Sequence, residues 1–351
     1  MSLSVKFETR IDHLKYQEFL HSCPERLIYN TLEYIETLRL ILKSEGPVFV
    51  VALRHGQIVG SMAFFVKETA IGSVANSLPY FGSHGDVLVR SDEASPDKVT
   101  AAILDAYIAF CHRERIGSVN IVGHLLGSHL SAVVPARGLS IWDQRIGQIS
   151  TLPATTSVPE AMPAILAQCH QKTRNLVRKG LRAGFEIEIS DKPGDWQLMQ
   201  HHHKLGMDRI GGRSKSVEEF AALRSVLHPA GMCSLYVARH NGQFAGALLN
   251  LQYGDWIEYF TPVAVQEFRT DQVMSALIAT AMSDACLEGR RFWNWGGTWT
   301  TQSGVHHFKQ GWGAVDHPYY YFGKVFDNRL MTAEKAALID QFPFFYVRPF
   351  S

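Results

Sequence analysis

No stretch of the 351 residues approaches the roughly eighteen consecutive apolar residues that a membrane-spanning helix needs. The N-terminus, Met1 to Arg10, lacks the apolar core of a secretory signal, so a cytoplasmic protein is expected. Net charge is nearly absent: 34 basic residues face 33 acidic ones, which leaves no overall field to draw the chain to nucleic acid or to an anionic membrane. Any basic site has to be local. The five cysteines, Cys23, Cys111, Cys169, Cys233 and Cys286, contain no C-x-x-C pair, which argues against a zinc ribbon or a dithiol centre and for buried reduced thiols. No metal is expected from the histidines either. His201, His202 and His203 are consecutive on a helical segment, point about 100° apart and cannot converge on one ion, and His306 and His307 share that geometry. No Walker-type nucleotide loop is present.

What is present is an ordinary globular composition, 46% hydrophobic and 19% charged, in a chain longer than single cores usually grow. Two domains follow, and the chain compared with itself says why. Residues 50–60, VVALRHGQIVG, and 236–246, YVARHNGQFAG, share V-A-x-x-x-G-Q-x-x-G at an offset of 186. Each copy reads as two half-buried strands joined by a tight turn at Gly56 or Gly242, and Trp256 to Thr261 supplies a further strand. Each is followed by an apolar helical segment, Val99 to Cys111 and Val273 to Cys286, and then by a short strand ending in Asn120-x-x-Gly123 or Asn294-x-x-Gly297, at an offset of 174. The difference in offset calls for a longer loop in the first half, at Ser77 to Pro96. A proline-containing stretch of small residues from Ile149 to Pro159 places the boundary near residue 150, giving domains 1–150 and 151–351. Helices are expected at Pro159 to Ala183, Trp196 to Met207 and, behind a capping box of Ser216 and Glu219, Ser216 to Leu227.

Helices, a hairpin, a long helix and a further strand follow the order of the GNAT acyltransferase fold, an α/β (α+β) module with a mixed sheet flanked by helices. Tandem modules of this kind resemble the FemAB-like (FemABX) aminoacyltransferases. Residues 172–185, KTRNLVRKGLRAGF, resemble that family's basic helix at the start of its second module. Phe292 to Gly297 followed by GVHHFKQGWG from Gly304 is similar to its glycine-ended strand and F-K-x-x-aromatic-G helix, and Leu78-Pro79-Tyr80-Phe81-Gly82 to its aromatic-glycine turn. The resemblance spans about residues 30 to 325 and places the active site in the second module.

Three constellations could carry chemistry. Lys172, Arg174, Arg178, Lys179 and Arg182 lie together without one carboxylate, with Arg174, Arg178 and Arg182 spaced to share a helix face. Such stacked like charges invite a phosphate, although a solvated face paired with distant acids has the same pattern. The resemblance implies that Arg174 meets the diphosphate of a muramyl acceptor. A short helix from Gln302 to Gln310, starting at Thr301 or Ser303, is expected to bury Val305, Phe308 and Trp312, with Lys309 at the margin of that stripe. Lys309 is then either a snorkelling surface lysine or, as the resemblance implies, the cation that stabilises charge during acyl transfer. Glu258 and Tyr259 are adjacent on one strand and face opposite sides of the sheet. Relatives of this fold use a glutamate here as base, and FemAB-like proteins a tyrosine as substrate contact. Phe308 and Tyr80 complete the expected substrate-binding set.

Acetyl-CoA enzymes of this fold cradle the pyrophosphate on a glycine-containing loop before the long helix. The equivalent stretches here, QEFRTDQV from Gln266 and RSDEASPD from Arg90, contain no glycine. No cofactor is therefore expected. The leading expectation is transfer of an aminoacyl group from aminoacyl-tRNA to an amine of a phosphate-bearing peptidoglycan precursor. The alternatives are an acyl-CoA-dependent N-acyltransferase in surface polysaccharide or lipid synthesis, acting on a sugar or lipid, and a catalytically silent binding module.

Overall fold

The computed structural model describes every residue except Met1, Ser2, Thr156, Phe350 and Ser351. Thr156 falls inside the expected linker, so that position lies outside the described residues. In chain order the elements are β1 (Ser4–Glu8), α1 (His13–His21), α2 (Leu32–Leu42), β2 (Val48–Arg54), β3 (Gln57–Thr69), β4 (Gly72–Ser77), β5 (Leu88–Val89), α3 (Pro96–Arg113), β6 (Ser118–Val122) and α4 (Leu130–Val133). There follow β7 (Ser140–Thr151), α5 (Val158–Gln168), α6 (Gln171–Arg182), β8 (Glu186–Ile189), α7 (Pro193–Arg209), α8 (Val217–Leu227), β9 (Cys233–His240), β10 (Gln243–Tyr253) and β11 (Trp256–Ala264). The chain ends with α9 (Val273–Leu287), β12 (Phe292–Trp299), α10 (Ser303–Gln310), β13 (Val315–Val325), α11 (Asn328–Thr332) and α12 (Lys335–Gln341).

Two compact units result, one of Met1–Arg145 with Pro318–Ser351, the other of Ile146–His317. In the first, the strand order is β1-β2-β3-β4-β6-β13, with β5 on β3. Its neighbours are antiparallel except for β4 and β6, which run parallel. Val99, Ile103 and Tyr107 of α3 pack on Phe64 and Ala75 of the sheet, and Val74 packs with Leu330, Leu338, Phe342 and Val347 of the C-terminal segment. The second unit has the order β8-β9-β10-β11-β12-β7, with β8 to β11 antiparallel in turn and β11 parallel to β12. One core joins α5, α6 and α9 to the strands through residues such as Leu277, Trp293 and Trp295. Helices α7 and α8 bury Trp196, Met199, Phe220 and Leu223. Burying each such side chain stabilises the fold by about 1.5–3 kcal/mol.

The two orders are the same, and the repeat accounts for it in detail. His55 and Gly56 have φ of 54° and 76°, Asn241 and Gly242 of 51° and 78°, the two left-handed residues of a tight hairpin turn. In each hairpin the register then slips by one residue, at Val59 and at Ala245. The repeated glycine comes next, and both copies are glycine for lack of room. A Cβ on Gly60 would lie 2.4 Å from Val99 Cγ1, and one on Gly246 would lie 2.7 Å from the Val263 carbonyl.

Three expectations are corrected. The boundary does not fall at 150 with everything beyond it in one domain: the second unit starts at Ile146 and residues 318–351 return to the first. The cause is strand pairing, because β6 takes β13 as its second neighbour, from Tyr321 opposite Val122 to Val325 opposite Ser118. The expected helix Pro159 to Ala183 is two helices, broken at Cys169 and His170, whose extended backbone lets the His170 amide donate to the Gly311 carbonyl at 2.9 Å. Helix α10 is capped at Gln302 rather than at Thr301 or Ser303, and of the expected stripe of Val305, Phe308 and Trp312 only Trp312 is buried. Val305 and Phe308 are 44% and 42% exposed while Lys309 is 5% exposed.

Candidate active site

Strands β11 and β12 pair over three positions, ending at Glu258 opposite Asn294, and then part. At that last pair the Asn294 amide donates to Glu258 Oε2 at 2.7 Å, both groups being buried. One residue on, and on the other face, the rings of Tyr259 and Trp295 lie 5.1 Å apart. Burial pushes the Tyr259 phenol above its ordinary range, so it stays protonated and can donate. Beyond Tyr259 the register with β10 slips between Leu249 and Asn250, leaving Phe260 without an opposite residue. A cavity of about 290 Å³ runs along the freed edge of β11 to the start of α9, lined by Tyr259, Pro262, Ala264, Arg269, Gln272 and Val273 among others. The connection at this end is a single turn of 3₁₀ helix, Gln266–Phe268, and the residue opening α9 is Gln272 with φ of 63°.

Lys309 reaches into the fork from α10. Its Nζ donates to the Gly296 carbonyl at 3.0 Å, to Thr298 Oγ1 at 2.6 Å and, at the limit of hydrogen bonding, to the Gly297 carbonyl at 3.5 Å. Desolvation lowers its pKa from 10.5 to about 8, so the ammonium form prevails at neutral pH. Thr298 Oγ1 also meets Gln148 Oε1 at 3.4 Å, and the Gln148 amide donates to the His306 carbonyl at 3.2 Å. Ser150 accepts from the Trp295 indole at 2.9 Å and donates to the Trp312 carbonyl at 3.0 Å. Trp295, beside Phe308 at 5.9 Å and Trp312 at 5.8 Å, thus has a fixed orientation.

The first unit shows the same fork in another state. At the repeat offset of 174, Gly296 and Gly297 correspond to Val122 and Gly123. The Val122 carbonyl there accepts from the Gly85 amide at 3.0 Å, and the Gly123 carbonyl from His84 Nδ1 at 2.8 Å. Both donors come from the longer connection between β4 and α3, where Ser77 Oγ also bonds the Gly85 carbonyl. In one unit an inserted backbone closes the freed edge of the strand; in the other a lysine side chain meets it.

The basic helix is divided along its length. Arg174 Nη1 donates to the Cys169 carbonyl at 2.5 Å, so Arg174 serves the break between α5 and α6. Arg178, Lys179 and Arg182, with Asn175, Ala183 and Asp271, line an open groove of about 520 Å³. Helix α6 lies close against the start of α9, since a Cβ on Gly180 would be 2.5 Å from the Gln272 carbonyl.

The structure therefore brings Lys309, Tyr259, Glu258 and Phe308 to one fork and sets Arg178 on a neighbouring helix of the same unit. Tyr80 lies in the first unit, buried, with φ of 80° and its amide bonded to the Phe344 carbonyl at 3.0 Å. Its ring rests on Phe81 and Phe344. Sequence reasoning noted Asn294 only for its repeated spacing to Gly297, without a role at the site, and missed Thr298, Gln148 and Ser150. Buried polar residues were the available signal; Ser150 was obscured because Ile149 to Pro159 reads as linker, and Gln148 stands just before that stretch with no pattern to mark it. The three consecutive histidines diverge, with His202 stacked on Phe244 and His203 accepting from the Lys215 amide. All five cysteines are buried and unbridged.

Residues 167–310 match the family model described as an acetyltransferase (GNAT) domain. No curated protein sequence matches the chain. Among solved structures, FemX is similar over 97% of this chain and 100% of its own at 14% identity, with a TM-score of 0.72. A tandem GNAT protein from the clavulanic acid biosynthesis pathway is similar over 93% of this chain and 99% of its own at 10% identity, with a TM-score of 0.56. L-PGS from Bacillus licheniformis is similar over 95% of this chain and 96% of its own at 12% identity, with a TM-score of 0.53. The fold is thus the tandem GNAT fold that the sequence resemblance implied. Among the described residues, no helix is long and apolar enough to cross a membrane.

Proposed function

We propose that this tandem GNAT-fold chain is an N-acyltransferase of the FemAB-like type, moving an aminoacyl group from aminoacyl-tRNA to an amine of a peptidoglycan precursor. The observation that carries the reading is Lys309, a buried ammonium anchored at the strand fork by the Gly296 carbonyl and Thr298 Oγ1. Attack of an amine on an ester carbonyl builds negative charge on oxygen, and a fixed cation lowers that barrier more than it strengthens ground-state binding. The contact to Gly297, long at 3.5 Å, is the weakest of the three, and in this reading its N–H is the one that turns to the substrate oxygen. Glu258, held by Asn294, takes the proton that the attacking amine loses, and Tyr259 and Phe308 line the acyl group's path. The tetrahedral centre then collapses, the ester C–O bond breaks, and the departing ribose hydroxyl receives a proton.

Arg178 and its neighbours supply the cations for a phosphate-bearing substrate. With Arg174 engaged by Cys169, Arg178→Ala is expected to weaken binding of that substrate by about ten- to hundredfold, and Arg174→Ala by less. Titration of each variant with a UDP-linked muramyl peptide checks the order, and the affinity should fall as salt rises.

A second reading, acyl-CoA as donor, is favoured by the cavity along the freed edge of β11 and by the GNAT domain match. Thermal shifts with coenzyme A, charged tRNA and UDP-linked muramyl peptide separate the two. A ligand at one hundred times its Kd adds about 2.7 kcal/mol. Stabilisation by charged tRNA and the muramyl peptide is expected. Stabilisation by coenzyme A alone would transfer the conclusion to the second reading, and none by any of them would leave a binding module.

A further inference from the structure

The loop between α7 and α8 holds a second lysine over the same strand. The Lys215 amide donates to His203 Nε2 at 3.1 Å, which fixes that buried imidazole as neutral with its proton on Nδ1. On the other side, Ser216 begins α8 with a capping box, its amide donating to Glu219 Oε2 at 2.8 Å. Pinned at both ends, the loop sets Lys215 Nζ 4.8 Å from the ring centre of Phe260. Phe260 is the bulged residue of β11, two positions beyond Glu258. Among the described residues Lys215 Nζ makes no ion pair or hydrogen bond, although Glu219 acts on it through space. Desolvation lowers its pKa to about 8. The ionisable groups that act on it or feel it are Glu219 from α8 and His203 from α7, and Glu258 stands two residues before the ring that Lys215 covers. An aromatic face offsets only part of the cost of burying an ammonium; an anion completes the site.

We infer that Lys215 binds an anionic group of the acceptor, a carboxylate or a phosphate, so that the acceptor's amine arrives beside Glu258. The assignment to the acceptor rests on the acyl-transfer reading; the existence of an anion site does not. An aminoacyl donor approaching along the freed edge of β11 would occupy the Tyr259 face of the strand, which leaves the Glu258 face and its lysine to the nucleophile. Lys215 would then set which amines are accepted, favouring those that carry an anion near the nitrogen.

Carbon-13 reductive methylation makes each lysine visible by NMR, and the signal absent from Lys215→Arg assigns the residue. Titration with sodium acetate and with inorganic phosphate should move that signal saturably, and the anion with the lower half-saturation tells carboxylate from phosphate. Sodium chloride is the control. Lys215→Met should raise the half-saturation at least about tenfold, read through the His203 imidazole resonances. No shift with either anion, a shift equal to that with chloride, or unaltered binding in Lys215→Met overturns the site. In turnover, Lys215→Met should raise the acceptor KM about tenfold or more, with kcat and the donor KM little changed and Lys215→Arg recovering part of the loss. An anion site without any turnover would tell against acyl transfer alone; turnover with an unchanged acceptor KM would tell against the role of Lys215 alone.

Discussion

A lysine that is the most buried side chain of its helix has to be held by its surroundings, and Lys309 is held by acceptors that a neighbouring strand leaves open. Lys309→Met keeps the apolar stem and deletes the charge, so kcat should fall on the order of 10² to 10³ with KM little altered, measured on the true donor and acceptor. Because Gly296 and Thr298 lose their donor, the variant should also lose about 1–3 kcal/mol of stability in denaturant titrations. Its pH dependence has a definite sign. With a folded pKa of about 8 against 10.5 unfolded, the unfolded chain binds more protons between those values, so stability rises with pH across that window. Lys215 adds to the same slope. Melts from pH 8 to 10 should show the rise, reduced by up to about 1.4 kcal/mol per pH unit in Lys309→Met. The rate should fall over the same range as the ammonium is lost. Lys309 was legible in the sequence through its F-K-x-x-aromatic-G setting. Its partners were not, because Gly296 and Gly297 act through carbonyls that any residue carries, and Gln148 comes from a segment whose strand pairing no local pattern reveals.

At the scale of elements, the hairpins were legible because turn chemistry is local, and the bulges were not because a register slip depends on the partner strand. The repeated glycine joins both levels. Gly60→Ala should destabilise the first unit by roughly 1–3 kcal/mol, since its new Cβ would meet Val99 Cγ1. Adding Val99→Ala should relieve much of that loss. Gly246→Ala should be as costly, but Val273→Ala should not rescue it, because the closest atom there is the Val263 carbonyl. A double-mutant cycle in each unit, followed by thermal denaturation, checks the contrast. The basic helix is a different case. The sequence showed its charge and its face, but the break at Cys169 that occupies Arg174 needed the approach of Gly311, more than a hundred residues later in the chain.

For the whole molecule, the twofold plan was legible from the repeat, while the boundary was misplaced because each unit takes its last strand from a distant part of the chain. Cutting at residue 150, where the composition suggests, should yield two fragments that fail to fold. Residues 1–150 lack β13 and the buried Leu330, Leu338, Phe342 and Val347; residues 151–351 lack Gln148 and Ser150 of β7. Circular dichroism and hydrogen exchange on the separate fragments would show this, and a natively protected 1–150 fragment would refute it.

That return of the C-terminus also sets a timetable on the ribosome. The first 145 residues emerge with β6 unpaired on one side and must wait for about 170 more before their missing strand is made. At typical synthesis rates the delay is about ten to thirty seconds. The unit that is translated second can complete itself first, and the nascent N-terminal half, with Val119 and Ile121 on an open edge, is left for that interval as a natural client of chaperones.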